Sequence, residues 1–139
     1  MTKYLGLDVG NARIGVAISD PNGTYSLPLT SIERRSIEED IIAIKELATN
    51  YRIEDAIIVG IPISLKGSIT IQTEITLNFC EKLSMLVDYQ LVKWNESNTT
   101  IEAERLIKDS GKKPSKNRAI VDATAASIIL QDYINHLKN

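Results

Sequence analysis

Three carboxylates stand out for where they fall. Asp8 interrupts the apolar run "YLGLDVG" two residues before Gly10, Glu96 follows the run "YQLVKWN", and Asp122 lies early in the helical pattern "RAIVDATAA". Each has an ordinary explanation when taken singly. Asp8 could serve the turn, Glu96 could be a solvated loop acid, and Asp122 could be an acid favoured by a helix dipole. Taken together they suggest a specific chemistry. Carboxylates brought within a few ångströms repel one another and do not all stay ionised unaided. A hard divalent cation, Mg²⁺ or Mn²⁺, removes that repulsion and keeps coordination positions open for water and phosphate oxygens. Two such ions can activate an attacking water and stabilise the leaving oxygen of a phosphodiester.

The elements around these residues must bring them together. "KYLGLDVG" and "RIGVAISD" read as strands, and "PNG" at Pro21 to Gly23 is a turn signal. "TYSLPLTSIE" gives a third strand, with Pro28 expected at an edge or a bulge. The period then changes. Ile37, Ile41, Ile44, Leu47 and Ala48 share one helical face behind an N-cap at Ser36, with Glu39 three residues on. "DAIIVGI" is a continuous apolar run, which marks a strand buried on both faces, and "PISLKGS" is a loop. A second helix from about Thr70 is predicted to present Ile75, Phe79, Leu83 and Leu86. "YQLVKWN" is a fifth strand. A third helix, capped by Thr99 or Thr100 with Glu102 near its third position, carries Ala103, Leu106 and Ile107. After the break "SGKKPSKN", a last helix runs from about Arg118 to His136.

The predicted order is β-β-β-α-β-α-β-α-α. It implies an α/β fold with a mixed five-stranded sheet, three antiparallel strands followed by two parallel ones, flanked by helices. That is the order of the ribonuclease H-like fold, expected here as a single domain over residues 1–139. Strands separated by helices place their C-terminal ends along one sheet edge, where sites gather. A last helix packed across that edge would aim Asp122 at Asp8 and Glu96.

Sixteen Lys and Arg against 18 Asp and Glu give a net charge of -2, so no global basic field announces a nucleic-acid binder. Local cations remain. Lys112, Lys113, Lys116 and Arg118 lead directly into the Asp122 helix and are the best candidates for backbone contact with nucleic acid. Arg13 after the turn "GNAR", and Lys66 in the loop before a helix N-terminus, are weaker candidates. Gly10 and Gly15 could let backbone approach a phosphate or serve the turn and tight packing. Cys80 is the only cysteine, which excludes an internal disulfide and a cysteine zinc site and fits a cytoplasmic location. No signal-peptide pattern or membrane-length apolar run is present, so no membrane partner is expected. Trp94 is expected to pack in the core, and His136, near the end of the chain, is not expected to be catalytic.

Four blocks in order resemble the YqgF (RuvX) family: "LGLDVGNARIGVAISD", "IIVGIPISLKGS", "NESNTTIEAERLI" and "VDATAASIILQDYI". The resemblance covers nearly the whole chain. It implies a metal-dependent nuclease of ribonuclease H-like fold, with the family's acids mapping onto Asp8, Glu96 and Asp122 and with two Mg²⁺ or Mn²⁺ ions. It further implies a nucleic-acid substrate, with trimming of the 5′ end of pre-16S ribosomal RNA, ribosomal precursor particles as a setting, and cleavage of branched DNA junctions as the alternative. The third block departs from the family's usual DERLTT. Asn95 replaces the aspartate and Ser97 the arginine, which removes a guanidinium fork suited to phosphate. Two other readings compete. "LDVGNARIGVA" also resembles the phosphate loop of actin-like and sugar-kinase ATP-binding domains, although no second such motif follows. A non-catalytic nucleic-acid-binding module on the same fold is the third.

Overall fold

The computed structural model describes residues 3–64, 66–96, 99–111 and 118–138. Its strands are β1 (Tyr4–Val9), β2 (Arg13–Ser19), β3 (Ser26–Glu33), β4 (Ala56–Pro62) and β5 (Gln90–Glu96). Its helices are α1 (Ile37–Asn50), α2 (Ile71–Leu86), α3 (Thr99–Asp109) and α4 (Arg118–Leu137). The sheet order is β3-β2-β1-β4-β5. The β1–β2 and β2–β3 pairs are antiparallel, and β4 runs parallel to both β1 and β5. The mixed sheet expected from the sequence is therefore present, with β1 at its centre. No helix among the described residues is long and apolar enough to cross a membrane.

Strand alternation divides the side chains between two cores. Leu5, Leu7, Val9, Ile14, Val16, Ile57, Val59 and Ile61 face α1 and α2 in the larger core. Tyr4, Ala17, Ala56 and Ile58 face α4, which contributes Ala126, Ile129, Leu130 and Ile134. Helix α3 packs on α4 through Ala103, Ile107, Val121 and Ala125. Alternation puts Asp8 on the α4 side of β1 and Glu96 on the α4 side of β5, where its strand neighbours Val92 and Trp94 also pack. Asn95 takes the other side, paired with Ile61 of the larger core, so the residue that departs from the family pattern does not share the face of the acids.

Two local features differ from the sequence expectation, and a third lies outside it. On α2, Phe79 and Leu83 are buried, but Ile75 and Leu86 are exposed, and the contact face is completed by Thr73, Thr76 and Cys80. A reciprocal cap explains the polar first turn. Thr70 and Thr73 bond each other's backbone N–H, and the Thr73 hydroxyl also donates to the Pro62 carbonyl at the end of β4. Second, α3 already begins at Thr99, which puts its cap position outside the described residues, and Leu106 is exposed. Third, Asp40 is buried in α1, held by the Arg34 guanidinium (Nε to Oδ2, 2.9 Å) and by the backbone N–H of Arg35. Arg34 also donates to the Gly10 carbonyl and lies over Phe79, so it ties the β1–β2 turn to α1 and α2. Ser36 caps α1 as expected, and Pro28 sits on the edge strand beside a bulge.

Helix α4 rests unusually close to the sheet. A Cβ on Gly15 would lie 2.0 Å from the Asp122 carbonyl oxygen, and one on Gly60 would lie 2.4 Å from Ile129 Cδ1. The first obstacle is backbone and cannot rotate away. Gly15→Ala should therefore destabilise the protein by about 3 kcal/mol, the upper range for overpacking. Gly67→Ala, at positive φ in open space, should cost only about 1 kcal/mol. Urea denaturation of the two variants measures the contrast, and equal losses would mean that α4 does not seat on Gly15.

Candidate active site

The edge of the sheet at the ends of β1, β4 and β5 gathers the acids. Asp8 comes from the central strand, one residue before its end, and Glu96 from the last residue of β5. Asp122, in the second turn of α4, is brought to β2 by the Gly15 contact. Gly15 pairs with Asp8 in the β1–β2 register, so the helix backbone at Asp122 lies over the strand position beside Asp8. Gly60 does the same service near Glu96, whose Cγ would stand 3.1 Å from a Cβ at that position.

Electrostatics register the proximity. Burial, then the Glu96 carboxylate, then the Asp122 carboxylate push the Asp8 carboxyl up to about 7. No Lys or Arg among the described residues forms an ion pair with Asp8. Asp122 has a different environment. Arg13 Nε donates to its Oδ2 at 2.5 Å, and Ser31 Oγ donates to the same oxygen at 3.0 Å. As the side chains stand, no three acidic, His or Cys groups among the described residues converge closely enough to hold one ion. The donor chemistry nevertheless suits a hard divalent cation. Carboxylate oxygens share one face, a half-buried Asp8 is opposed by two like charges, and the sole thiol, Cys80, is buried in the opposite core with its pKa pushed up to about 11 by burial.

The other residues singled out from the sequence are placed as follows. Arg13, a weaker candidate for phosphate contact, directs its Nε at Asp122. Arg118 is exposed one turn before Asp122 on α4, and Lys66 is exposed in the loop after β4, at the same sheet edge. Lys112, Lys113 and Lys116 lie outside the described residues. Gly10 serves the turn, its N–H donating to the Arg13 carbonyl at 2.9 Å. Trp94 packs in the α4-side core, with its indole N–H on Asp132 and its ring against Tyr133 and His136. Sequence reasoning missed Ser31, and it missed Gln72, whose side-chain amide donates to the Val9 carbonyl next to Asp8. The Thr70-x-x-Thr73 cap could have signalled that α2 starts against this edge.

A family model described as RuvX, Holliday junction resolvase, matches residues 2–136. A relative from Caldanaerobacter subterraneus subsp. tengcongensis is 42% identical over 138 residues, covering 99% of this chain and 99% of its own length. One from Clostridium acetobutylicum is 39% identical over 135 residues, covering 97% and 99%. Both bear the name "Putative pre-16S rRNA nuclease". Among solved structures, Thermus thermophilus RuvC in complex with a Holliday junction substrate superposes with a TM-score of 0.60 at 11% identity, over 99% of this chain and 96% of that one. Fowlpox virus resolvase with Holliday junction DNA gives 0.54 at 13% identity, over 99% and 100%. At these identities the likeness is one of fold, and the fold is ribonuclease H-like.

The Asp8 shift has a sign that can be tested without metal. Its folded pKa, about 7, lies above the unfolded value of 3.8, so the native state holds a proton that the unfolded chain releases. The stabilisation from this group is complete below about pH 4 and is lost as pH rises through 7. Asp8→Asn in EDTA should therefore match the parent in Tm near pH 4. Its advantage should grow to about 10 °C or more at pH 8, where a shift of this size is worth on the order of 4 kcal/mol. Thermal melts across that range check it. A variant no more stable than the parent at pH 8 would show that Asp8 carries no such repulsion.

Proposed function

Because the chain belongs to the RuvX family, matched over residues 2–136, we propose that it is a divalent-metal-dependent nuclease that hydrolyses phosphodiester bonds in 5′-end processing of pre-16S ribosomal RNA. The observation that carries this reading is Asp8: a carboxylate on the central strand, facing two further acids, with no cationic partner among the described residues. Relatives of the same length that share 39% and 42% of residues bear the rRNA nuclease name, whereas the resolvases share only the fold. That difference favours precursor rRNA over a DNA junction. Ribosomal precursor particles in the cytoplasm would be the setting, and one domain over residues 1–139 the working unit.

Asp8, Glu96 and Asp122 would hold Mg²⁺ or Mn²⁺, which when bound supplies an acidified water and positive charge for the leaving oxygen. The protein's own part is placement. The central strand fixes Asp8, the end of β5 presents Glu96, and α4 carries Asp122 over the sheet edge. Arg118 at the start of α4 and Lys66 after β4 flank that edge, where cations suit a phosphate backbone. Lys112, Lys113 and Lys116 precede α4 in the chain and are further candidates for backbone contact.

Purified protein with Mn²⁺ should cleave a pre-16S rRNA fragment in preference to unrelated single-stranded RNA and a four-way DNA junction, and Asp8→Asn should reduce the rate to background. An Asp8→Asn protein that cuts as fast as the parent sinks the assignment, and cleavage of the junction alone transfers it to resolvase activity. Replacing Lys112, Lys113 and Lys116 together by Ala should weaken RNA binding by about tenfold near physiological salt and flatten the salt dependence of log K by about 2 to 3. Filter binding at several salt concentrations measures this, and an unchanged slope would remove these lysines from the interface.

A further inference from the structure

We propose that Arg13 and Ser31 are positioning residues for Asp122, holding its Oδ2 so that Oδ1 is presented to a divalent cation. The inference rests on the metal-dependent reading above. Its geometry is separate. Both donors meet one oxygen, Arg13 Nε at 2.5 Å and Ser31 Oγ at 3.0 Å. A carboxylate has lone pairs on both oxygens, and both of these donors use Oδ2; among the described residues no other hydrogen bond to the Asp122 carboxylate is made. Arg13 is partly exposed, with 32% of its side-chain surface accessible, against 21% for Asp122. It offsets the charge of Asp122, and the Ser31 hydroxyl fixes the rotation that a single contact would leave loose.

The β2–β3 pair is built to make this cradle. Counting from the Pro21–Gly23 turn, Ser19 pairs with Ser26 and Ala17 with Pro28, and then the register shifts. Val16 pairs with Thr30 and Gly15 with Ser31, so Leu29 is the extra residue of a bulge. Without it Thr30 would stand opposite Gly15, and Ser31 would face the larger core. The bulge therefore delivers the Ser31 hydroxyl to the face of α4, beside the glycine on which the Asp122 backbone rests. Arg13 begins the same strand two residues away, on the same face. Gly15 places the helix backbone, and Arg13 and Ser31 place the carboxylate.

The test is Mn²⁺ titration without substrate, followed by the electron paramagnetic resonance of free Mn²⁺, on the parent and on Ser31→Ala, Ser31→Thr, Arg13→Gln and Asp122→Asn. Groups that hydrogen-bond a metal's ligand typically change affinity by about 10- to 100-fold. Ser31→Ala and Arg13→Gln should each bind about tenfold more weakly, and Ser31→Thr, which keeps the hydroxyl, should stay near the parent. In cleavage assays the Mn²⁺ concentration for half-maximal rate should rise for Ser31→Ala, while the rate at saturating Mn²⁺ returns to the parent value. A merely structural serine would not produce that split. Parental affinity in both Ser31→Ala and Arg13→Gln, with loss in Asp122→Asn, would overturn the positioning role and leave the nuclease reading intact. Tighter Mn²⁺ binding in Arg13→Gln would also overturn it, because Arg13 would then be a competitor of the metal. Unchanged binding in Asp122→Asn would defeat the metal role of Asp122 and this inference with it.

Discussion

The contact on which the site depends is between two pieces of backbone: the carbonyl of Asp122 on α4 and the Cα of Gly15 on β2. At that distance no side chain fits between helix and strand, since even a methyl group would overlap the carbonyl. The close seating continues along the helix at Gly60 and Gly6, where Ile129 and Leu130 fill the space a Cβ would take. Glycine in a strand costs backbone entropy and β propensity. Here the cost is offset by apolar burial along α4, whose Ala126, Ile129, Leu130 and Ile134 are nearly or fully inaccessible. The result is a helix fixed in height and register, and so a carboxylate fixed relative to Asp8 and Glu96.

Fixing acids in one place creates an electrostatic problem, and the protein solves only part of it. Asp122 is given Arg13 and Ser31. Asp40, a buried acid of α1 on the opposite side of the sheet, is given Arg34 and a backbone N–H. Asp8 has no cationic partner among the described residues, and its carboxyl is pushed towards neutrality. Satisfying one buried acid this fully while leaving half-buried Asp8 against two like charges, with no cationic partner among the described residues, fits a site that takes up a positive group. That contrast distinguishes the proposed catalytic reading from a binding module, for which three facing acids would be a liability beside a polyanion.

Much of this was legible in the sequence for identifiable reasons. The order of elements followed from changes of period: alternation in "RIGVAIS", continuous apolar residues in "AIIVGI", and helical spacing in α1 and α4. Once that order was fixed, topology brought Asp8, Glu96 and Asp122 to one edge without further information. What stayed hidden depends on register and on distant partners. Ser31 was invisible because one bulged residue exchanges the faces of β3 after Pro28. The partner of Arg13 lies 109 residues away in the chain. On α2, hydrophobic spacing favoured Ile75 and Leu86, but Thr73 and Thr76 took their places because their hydroxyls find acceptors in the Pro62 and Gln72 carbonyls and so tolerate burial.

The same details bear on the phosphate-loop reading of "LDVGNARIGVA". A loop that cradles phosphate turns several backbone N–H groups outward and keeps its cation available. In this hairpin the N–H of Gly10 is closed onto the Arg13 carbonyl, the Gly10 carbonyl is held by Arg34, and the Arg13 guanidinium is directed at Asp122. The turn is tied inward on three sides, to β2, to α1 and to α4. Its glycines serve a tight turn and a helix contact, and its charges serve an acid. The motif that opens the chain is thus better understood as a scaffold for Asp8 and Asp122 than as a nucleotide clamp. Its resemblance to such clamps follows from a shared need, a strand carrying an aspartate that must turn back sharply at its end.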